Sequence, residues 1–465
     1  MNHVAKAAAA AAALLIVGLP PVLGLITEAQ VRARVAELSE SGVFLAEVRA
    51  FERGWLSGRA KIDIGLAPAY LRRSSAAAPE LEALIGQTAP VDVVLAYGPI
   101  PLLDGIHFGL SRMVARLDSE SAAVANLEQG LGIPYVFEFR GRTSFLGKLT
   151  FDADMPPVDL PMGRTRIEFS GAVLAGTFAG NRLAAHGGVD RFRFSSPTGV
   201  FSVERVGATI DNEIRSRYVL PGSAAFSIGS VTVVDAASGP TPKLEASGVR
   251  VDSLVQLDET RNLLDVRATV ALDSAFADGV RIADASLGIA VRNLDAAALE
   301  IYATTLRGVA ASADRGAALR PALERVLAGA PSVALDPVAF SFDGEPFTGR
   351  LEIVTNAGAL PANGTVDFED PQTLLTLFDS SADIELSKKL AQSLAALALQ
   401  IQLADDPTLP SEDRQRIAEA QSGLILVALL GQGLLTDKGD RYRAELRVAD
   451  GAVTVNGAPL PLSVP

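Results

Sequence analysis

Leu264–Asp273 reads LDVRATVALD, and its alternation decides how the chain folds. Leu264, Val266, Ala268, Val270 and Leu272 fall on one side of an extended backbone, and Asp265, Arg267, Thr269 and Asp273 on the other. Successive strand side chains point to opposite faces, so this is a strand with one dry and one wet side. The pattern recurs in both directions along the chain. Phe51–Leu66 (FERGWLSGRAKIDIGL) alternates after Gly54, with Ala60, Ile62, Ile64 and Leu66 opposed to Arg59, Lys61 and Asp63. Ile167 and Phe169 oppose Arg166 and Glu168, and Phe192 and Phe194 oppose Arg191 and Arg193. Val338, Phe340 and Phe342, then Leu351 and Ile353, then Ala444, Leu446 and Val448 extend the series. Such runs, separated by Gly, Asp and Asn turns, predict long antiparallel sheets with one solvated face.

Helical periodicity interrupts the strands at defined places. Residues 295–310 and 314–328 predict a helical pair with Arg315, Arg320 and Arg325 on its wet side; 371–404 predicts a second tract and 411–430 a third. The third opens on Pro410, with Ser411 as expected N-cap and Glu412 and Asp413 in the first turn. Its later part, Gly423–Leu430 (GLILVALL), is apolar on nearly all sides and too short to cross a bilayer. A buried helix is the expectation there, with an interfacial helix or a ligand-pocket wall as alternatives. The expected fold class is therefore α+β: long antiparallel β-sheets with one solvated face, helices packed on the other, and one N-terminal transmembrane helix. Ala236–Pro242 (AASGPTP) is the candidate linker, or equally a long turn, between a β-rich part at 51–240 and another at 241–465. The latter carries helical insertions at 295–330 and 371–435.

The transmembrane expectation rests on Ala7–Ile26, twenty residues without a charge. A helix of that length spans roughly 30 Å, the hydrocarbon thickness of a bilayer. A cleaved signal is the competing reading, but no Ala-x-Ala site follows the Pro20-Pro21 pair. A retained anchor is favoured, with residues 1–6, which carry Lys6, as a cytoplasmic stub and residues 27–50 as a linker helix. In that helix Val31, Val35 and Leu38 share a face. The positive-inside rule then puts the bulk of the chain outside the cytoplasm.

Composition bounds the partners. A net charge of −13 over 465 residues argues against nucleic acid and against broad electrostatic docking on anionic lipid. The chain has no cysteine, which removes disulfides, thiol catalysis and thiolate zinc sites.

Several short signatures resemble the YdgA-like family of bacterial membrane-anchored periplasmic proteins of unknown function. Arg53-Gly54-Trp55-Leu56-Ser57 resembles the family's Arg-Gly-aromatic-Ser run, and Tyr97-Gly98-Pro99 stands where the family often has His-Gly-Pro. Asn293-Leu294-Asp295 with Ala298-Leu299 marks the entry to the first helical pair. Asp450-Gly451 and Asn456-Gly457-Ala458-Pro459-Leu460-Pro461-Leu462 resemble the closing strand and tail. The resemblance implies a single N-terminal anchor in the bacterial inner membrane and a large periplasmic domain. Each signature also has a plain structural reading: Gly54 and Trp55 as a bend with an anchoring ring, Gly98-Pro99 as a turn, Leu294-Asp295 as strand end and helix cap, and Asn456-Gly457 as a hairpin turn.

No catalytic chemistry emerges. The histidines are His3, His107 and His186, with no third ligand evident near the latter two. Asp405-Asp406 and Glu369-Asp370 precede prolines and read as caps or solvated turns. Gly130-x-Gly132 and Gly431-x-Gly433 lack the third glycine and the setting of a dinucleotide site. No residue is assigned as catalytic, cofactor-binding or metal-ligating, and no cofactor is expected. Three readings follow: a non-enzymatic envelope scaffold that binds a partner through a sheet edge or acidic face, a protein that holds lipid or another amphiphile in a sheet-lined apolar groove, and, well behind, an exported hydrolase.

Overall fold

The computed structural model describes residues 24–29, 31–33, 35, 36, 38, 39, 44–67, 88–98, 108–216, 218–236, 242–277, 279–308, 315–360, 366, 370–404 and 410–460. The chain divides into two compact units. The first comprises residues up to Pro197 with Arg205–Thr209; the second comprises Thr198–Glu204 and everything from Ile210.

In the first unit, helical residues between 24 and 39 precede β1 (Phe44–Arg53) and β2 (Ser57–Leu66). The linker helix expected to reach residue 50 thus gives way to strand at Phe44. There Phe44, Ala46 and Val48 pair with Leu66, Ile64 and Ile62, and this tertiary pairing overrides the helical preference of an Ala/Glu/Arg-rich run. β3 (Ala89–Tyr97) and β4 (Ser111–Leu117) follow, then a helix not foreseen from the periodicity, α1 (Ala122–Leu131), closed by left-handed Gly132. β5 (Glu138–Thr143), β6 (Leu149–Met155), β7 (Val158–Met162), β8 (Thr165–Phe169), β9 (Ala172–Ala179) and β10 (Arg182–Ser196) complete this unit's main strands. All pairings are antiparallel: β1 to β6 pair in sequence order, β6 then pairs β9 and β7 pairs β8, and β9 and β8 both pair β10. β6 and β7 keep one register across Pro156-Pro157, as do β8 and β9 across Ser170-Gly171. They are long strands interrupted where proline removes a donor or glycine, at φ 92°, turns the backbone. Ala60, Ile62, Val93, Leu95 and Tyr97 form the core, capped by Val31 and Val35. Leu38 is exposed.

β11 (Gly199–Glu213) contributes residues to both units. The second unit holds β12 (Gly222–Asp235), β13 (Pro242–Asp258), β14 (Leu263–Ala277) and β15 (Val280–Asp295), each of 14 to 17 residues. Ala236–Pro242 therefore joins two hydrogen-bonded neighbours, paired as far as Val234 and Pro242, and is a strand connection instead of a domain linker. The helical pair follows as α2 (Ala296–Gly308) and α3 (Arg315–Ala328). β16 (Ser332–Phe342) and β17 (Glu345–Thr355) come next, then α4 (Pro371–Leu377), β18 (Phe378–Ser387) and α5 (Lys388–Ala404). The tract expected as helix over 371–404 is thus split by a strand in which Ala382, Ile384 and Leu386 alternate with Asp383 and Glu385. α6 (Ser411–Gly431) has Pro410, and not Ser411, at its N-cap. β19 (Thr436–Asp437), β20 (Arg441–Ala449), β21 (Ala452–Val455) and β22 (Ala458–Pro459) end the chain's regular structure. β12 to β18 pair consecutively and antiparallel, β18 pairs β20, and β20 pairs β19 and β21.

Two groups of helices pack at the ends of the apolar sheet face in this second unit. Leu264, Ala296 and Val219, with Leu257, Leu294 and Leu299, pack at one end. Leu386, Leu390, Ala391 and Leu426, with Phe340, Phe347 and Tyr442, pack at the other. Gly423–Leu430 is only partly core: Leu426 is buried, while Leu424 and Val427 are 69% and 66% exposed.

Candidate ligand-binding face

Strand register turns the alternation into a surface. Across the second unit, Phe226, Val251, Val270, Leu287, Val338, Gly349, Ile384 and Ala444 stand directly opposite one another from β12 to β20. The neighbouring row on the same face is Ala224, Ser253, Ala268, Ile289, Leu335, Leu351, Ala382, Leu446 and, on β21, Val455. A third row runs Gly222, Val255, Val266, Val291, Val333, Ile353, Ser380, Val448 and Val453. None of the three contains a charged residue. At roughly 4.8 Å between strands, the eight strands from β12 to β20 carry these rows over roughly 34 Å. Register shifts between Leu335 and Val338 and within β15 adjust the strands without interrupting the rows.

The helix clusters cover the ends of this face, not its middle. Phe226, Val270, Val333, Ile384 and Leu446, one on each of five strands, remain 37–41% exposed. The other side of the same strands is charged. Arg443 donates to Asp383 at 2.5 Å, Arg447 to Glu445 at 2.6 Å and Arg250 to Asp273 at 2.6 Å. A hollow of about 360 Å³ on that side is lined by Arg350, Glu352, Asp383, Glu445 and Arg447. The hydrogen bond to Asp383 raises the Arg443 pKa, which marks a structural ion pair.

The first unit carries a polar row on the side of its sheet away from the core. Lys61, Asp92, Arg116, Glu138 and Asp154 stand opposite one another across β2 to β6, so that opposite charges face across three of the four strand pairs. Glu138 is fully buried and held by Arg116 and Arg140. Tyr135 donates to Asp154 at 2.6 Å, and Arg116 stacks over the Tyr135 ring at 5.3 Å. Arg59 pairs with Asp92 at 2.6 Å, and Lys61 with Asp118 at 3.2 Å and Glu120 at 2.5 Å. Burial pushes the Asp118 carboxyl up, but the Glu120 backbone N–H and the Lys61 ammonium hold it below its ordinary value. The hydrogen bond and charge of Lys61, with Arg59, lower that of Glu120. These acids are committed to cations and remain ionised at neutral pH, the opposite of a carboxyl tuned upward to deliver a proton.

The residues singled out in the sequence fall as follows. Trp55 is 56% exposed at this strand start, and Gly54, whose N–H bonds the Ser57 carbonyl at 2.7 Å, makes the bend. Tyr97 is fully buried, its hydroxyl without a hydrogen-bond partner, and Gly98 turns the chain at φ 107°. Asp295 caps α2 by accepting from Ala298 N–H at 2.7 Å. Asn456 and Gly457, at φ 49° and 80°, make the β21–β22 turn. Asp370 caps α4 by accepting from the Gln372 and Thr373 N–H groups. Gly132 and Gly433 are left-handed residues just past helix ends. His186 lies exposed on β10 opposite Ala175, while His3, His107, Glu369 and Asp405-Asp406 lie outside the described residues. Among the described residues no three or more His, Asp or Glu side chains cluster as a metal site would require. No helix among them is long and apolar enough to cross a membrane; most of the 7–26 run lies outside them. The three apolar rows went unrecognised in the sequence because alternation reports which side of a strand is dry but not which residues of neighbouring strands meet.

Fold and face together define a class: a large antiparallel β protein whose second unit presents a sheet apolar on one side and charged on the other, with its described helices packed at the ends of the apolar side. The chain belongs to a bacterial protein family of unknown function, DUF945, whose model matches residues 1–463. No curated protein and no solved structure matches it.

Proposed function

We propose that this protein is a non-enzymatic, membrane-anchored component of the bacterial cell envelope whose second unit holds the hydrocarbon part of a lipid or similar amphiphile. One observation carries the reading: three cross-strand rows without a charge, left part-exposed between two helix clusters. Ligand sites are predominantly apolar, and large contiguous apolar patches on a protein surface mark interaction sites. Aliphatic residues dominate the rows, and polar ones enter only as Ser253 and Ser380, which suits an acyl chain better than a polar head. The rows' width of roughly 34 Å exceeds the roughly 15 Å that one leaflet's chains occupy. The charge-free run at 7–26 supports a tether in the inner membrane with the bulk of the chain in the periplasm. This reading takes precedence over a partner-binding scaffold, because the exposed dry face is a specific feature and the acidic balance is not.

A photoreactive amino acid placed in the full chain at Val270 or Ile384, and at Thr269 or Asp383 on the charged side, tests the proposal in living cells. Lipid adducts at the first two positions and none at the second two are expected. Protein adducts at Val270 and Ile384 would instead favour the scaffold reading.

A further inference from the structure

The first unit carries an exposed apolar projection beside a basic hollow. The turn between β5 and β6 is closed by Ser144 N–H to the Lys148 carbonyl at 2.9 Å and Gly147 N–H to the Ser144 carbonyl at 3.0 Å. The Ser144 hydroxyl accepts from Lys148 N–H at 3.2 Å, and Gly147 takes φ 77°. This turn is therefore fixed, yet Leu146 at its tip is 97% exposed, Phe145 beside it 53%, and Phe108 on the adjoining segment 77%. A turn gains nothing in water from such side chains, which are neither core nor polar.

Next to the tip lies a hollow of about 330 Å³. Among the described residues, Arg112, Arg142 and Lys148 line it with the hydroxyl-bearing Ser111 and Ser144, and no carboxylate does. In a chain of net charge −13, a concavity whose described lining holds three cations and no acid is a local reversal of sign. Guanidinium, ammonium and hydroxyl groups around a concavity are the donors that bind phosphate oxygens. Apolar side chains at the rim would enter the acyl region below a headgroup while the cations stay at its phosphates.

A second observation concerns the same end of the sheet. Tyr97, Ser111, Thr143 and Leu149 form one cross-strand row that ends at the turn. Gly24 lies against that row's first member: a Cβ there would meet the Tyr97 ring at 3.2 Å. Gly24, in the last part of the charge-free Ala7–Ile26 run, thus lies at the end of the sheet that bears the Phe145-Leu146 tip and the basic hollow.

We propose that the β5–β6 turn and the adjacent basic hollow form a docking surface for an anionic phospholipid bilayer, with Arg112, Arg142 and Lys148 engaging lipid phosphates and Phe108, Phe145 and Leu146 entering the acyl layer. The surface is independent of what the apolar face of the second unit carries.

The chain has no cysteine, so the full-length Leu146→Cys variant takes a single environment-sensitive dye. It is reconstituted into vesicles of phosphatidylcholine alone or with phosphatidylglycerol, each doped with a shallow quencher lipid; a dye carried by Arg164→Cys, in the β7–β8 turn, serves as control. Quenching at position 146 that strengthens with phosphatidylglycerol and is absent at 164 is expected. Adding Arg142→Glu or Lys148→Glu should lower the docked-to-undocked ratio at least about fivefold, the equivalent of about 1 kcal/mol for each basic residue at an anionic surface. Circular dichroism verifies that these exposed substitutions leave the fold intact. Absence of quenching at 146, or quenching indifferent to both lipid charge and the two substitutions, would overturn the proposal.

Discussion

Tyr97 illustrates how a single side chain is used. Its ring fills the core between sheet and N-terminal helix, but its hydroxyl has no hydrogen-bond partner, and burial raises its pKa. An orphaned buried hydroxyl costs about 1–3 kcal/mol, so Tyr97→Phe should leave thermal stability unchanged or raise it. Gly58→Ala should lower the melting temperature sharply, since its Cβ would stand 2.0 Å from that hydroxyl, and Tyr97→Phe should restore part of the loss. At Glu138, replacement by Ala removes a buried acceptor from Arg116 and Arg140, whose side chains still reach water; denaturant unfolding should report a loss of about 1–3 kcal/mol. The Lys61 cluster predicts a pH profile. Asp118 and Glu120 have lowered folded pKa values, so their contribution is complete above ordinary values of 3.8 and 4.5 and fades as pH falls through the folded ones. Lys61 has a raised pKa, so its contribution is complete below 10.5 and fades as pH rises beyond its folded value. The melting-temperature difference between wild type and Lys61→Met should therefore be constant at intermediate pH and shrink towards both extremes.

At the scale of elements, strands with clean alternation were legible: β2, β8, β14, β16, β17 and β20 lie where Ile62, Ile167, Val266, Phe340, Ile353 and Leu446 predict them. Two caps were legible too, because Asp295 and Asp370 act through local backbone bonds that neighbouring residues alone decide, whereas the cap expected at Ser411 falls on Pro410. Asp295→Ala should cost about 1 kcal/mol in the same unfolding measurement. What escaped was governed by tertiary pairing. β1 and β18 sit beside helical stretches whose composition extends into them, and only hydrogen bonds to β2, and to β17 and β20, make them strands. α6 shows the converse limit: an all-round apolar run reads as buried, yet its packing on α5 covers Leu426 and leaves Leu424 and Val427 outside.

On the scale of the whole molecule, the candidate face depends on register, and register is a property of pairs of strands that no single stretch contains. Val270 and Ile384 are more than a hundred residues apart, yet they belong to one row through Leu287, Val338 and Gly349. Val270→Asp combined with Ile384→Asp should leave the fold standing, since both side chains are part-exposed, while placing two charges in the path of an acyl chain. The most direct measurement of the central claim is native mass spectrometry of residues 23–465, which retain Gly24, Val31 and Val35 on the first sheet, purified without detergent. The account predicts bound lipid at a defined stoichiometry, lost in the double Asp variant at unchanged melting temperature. A ligand-free spectrum that stays so after incubation with envelope lipids would contradict it.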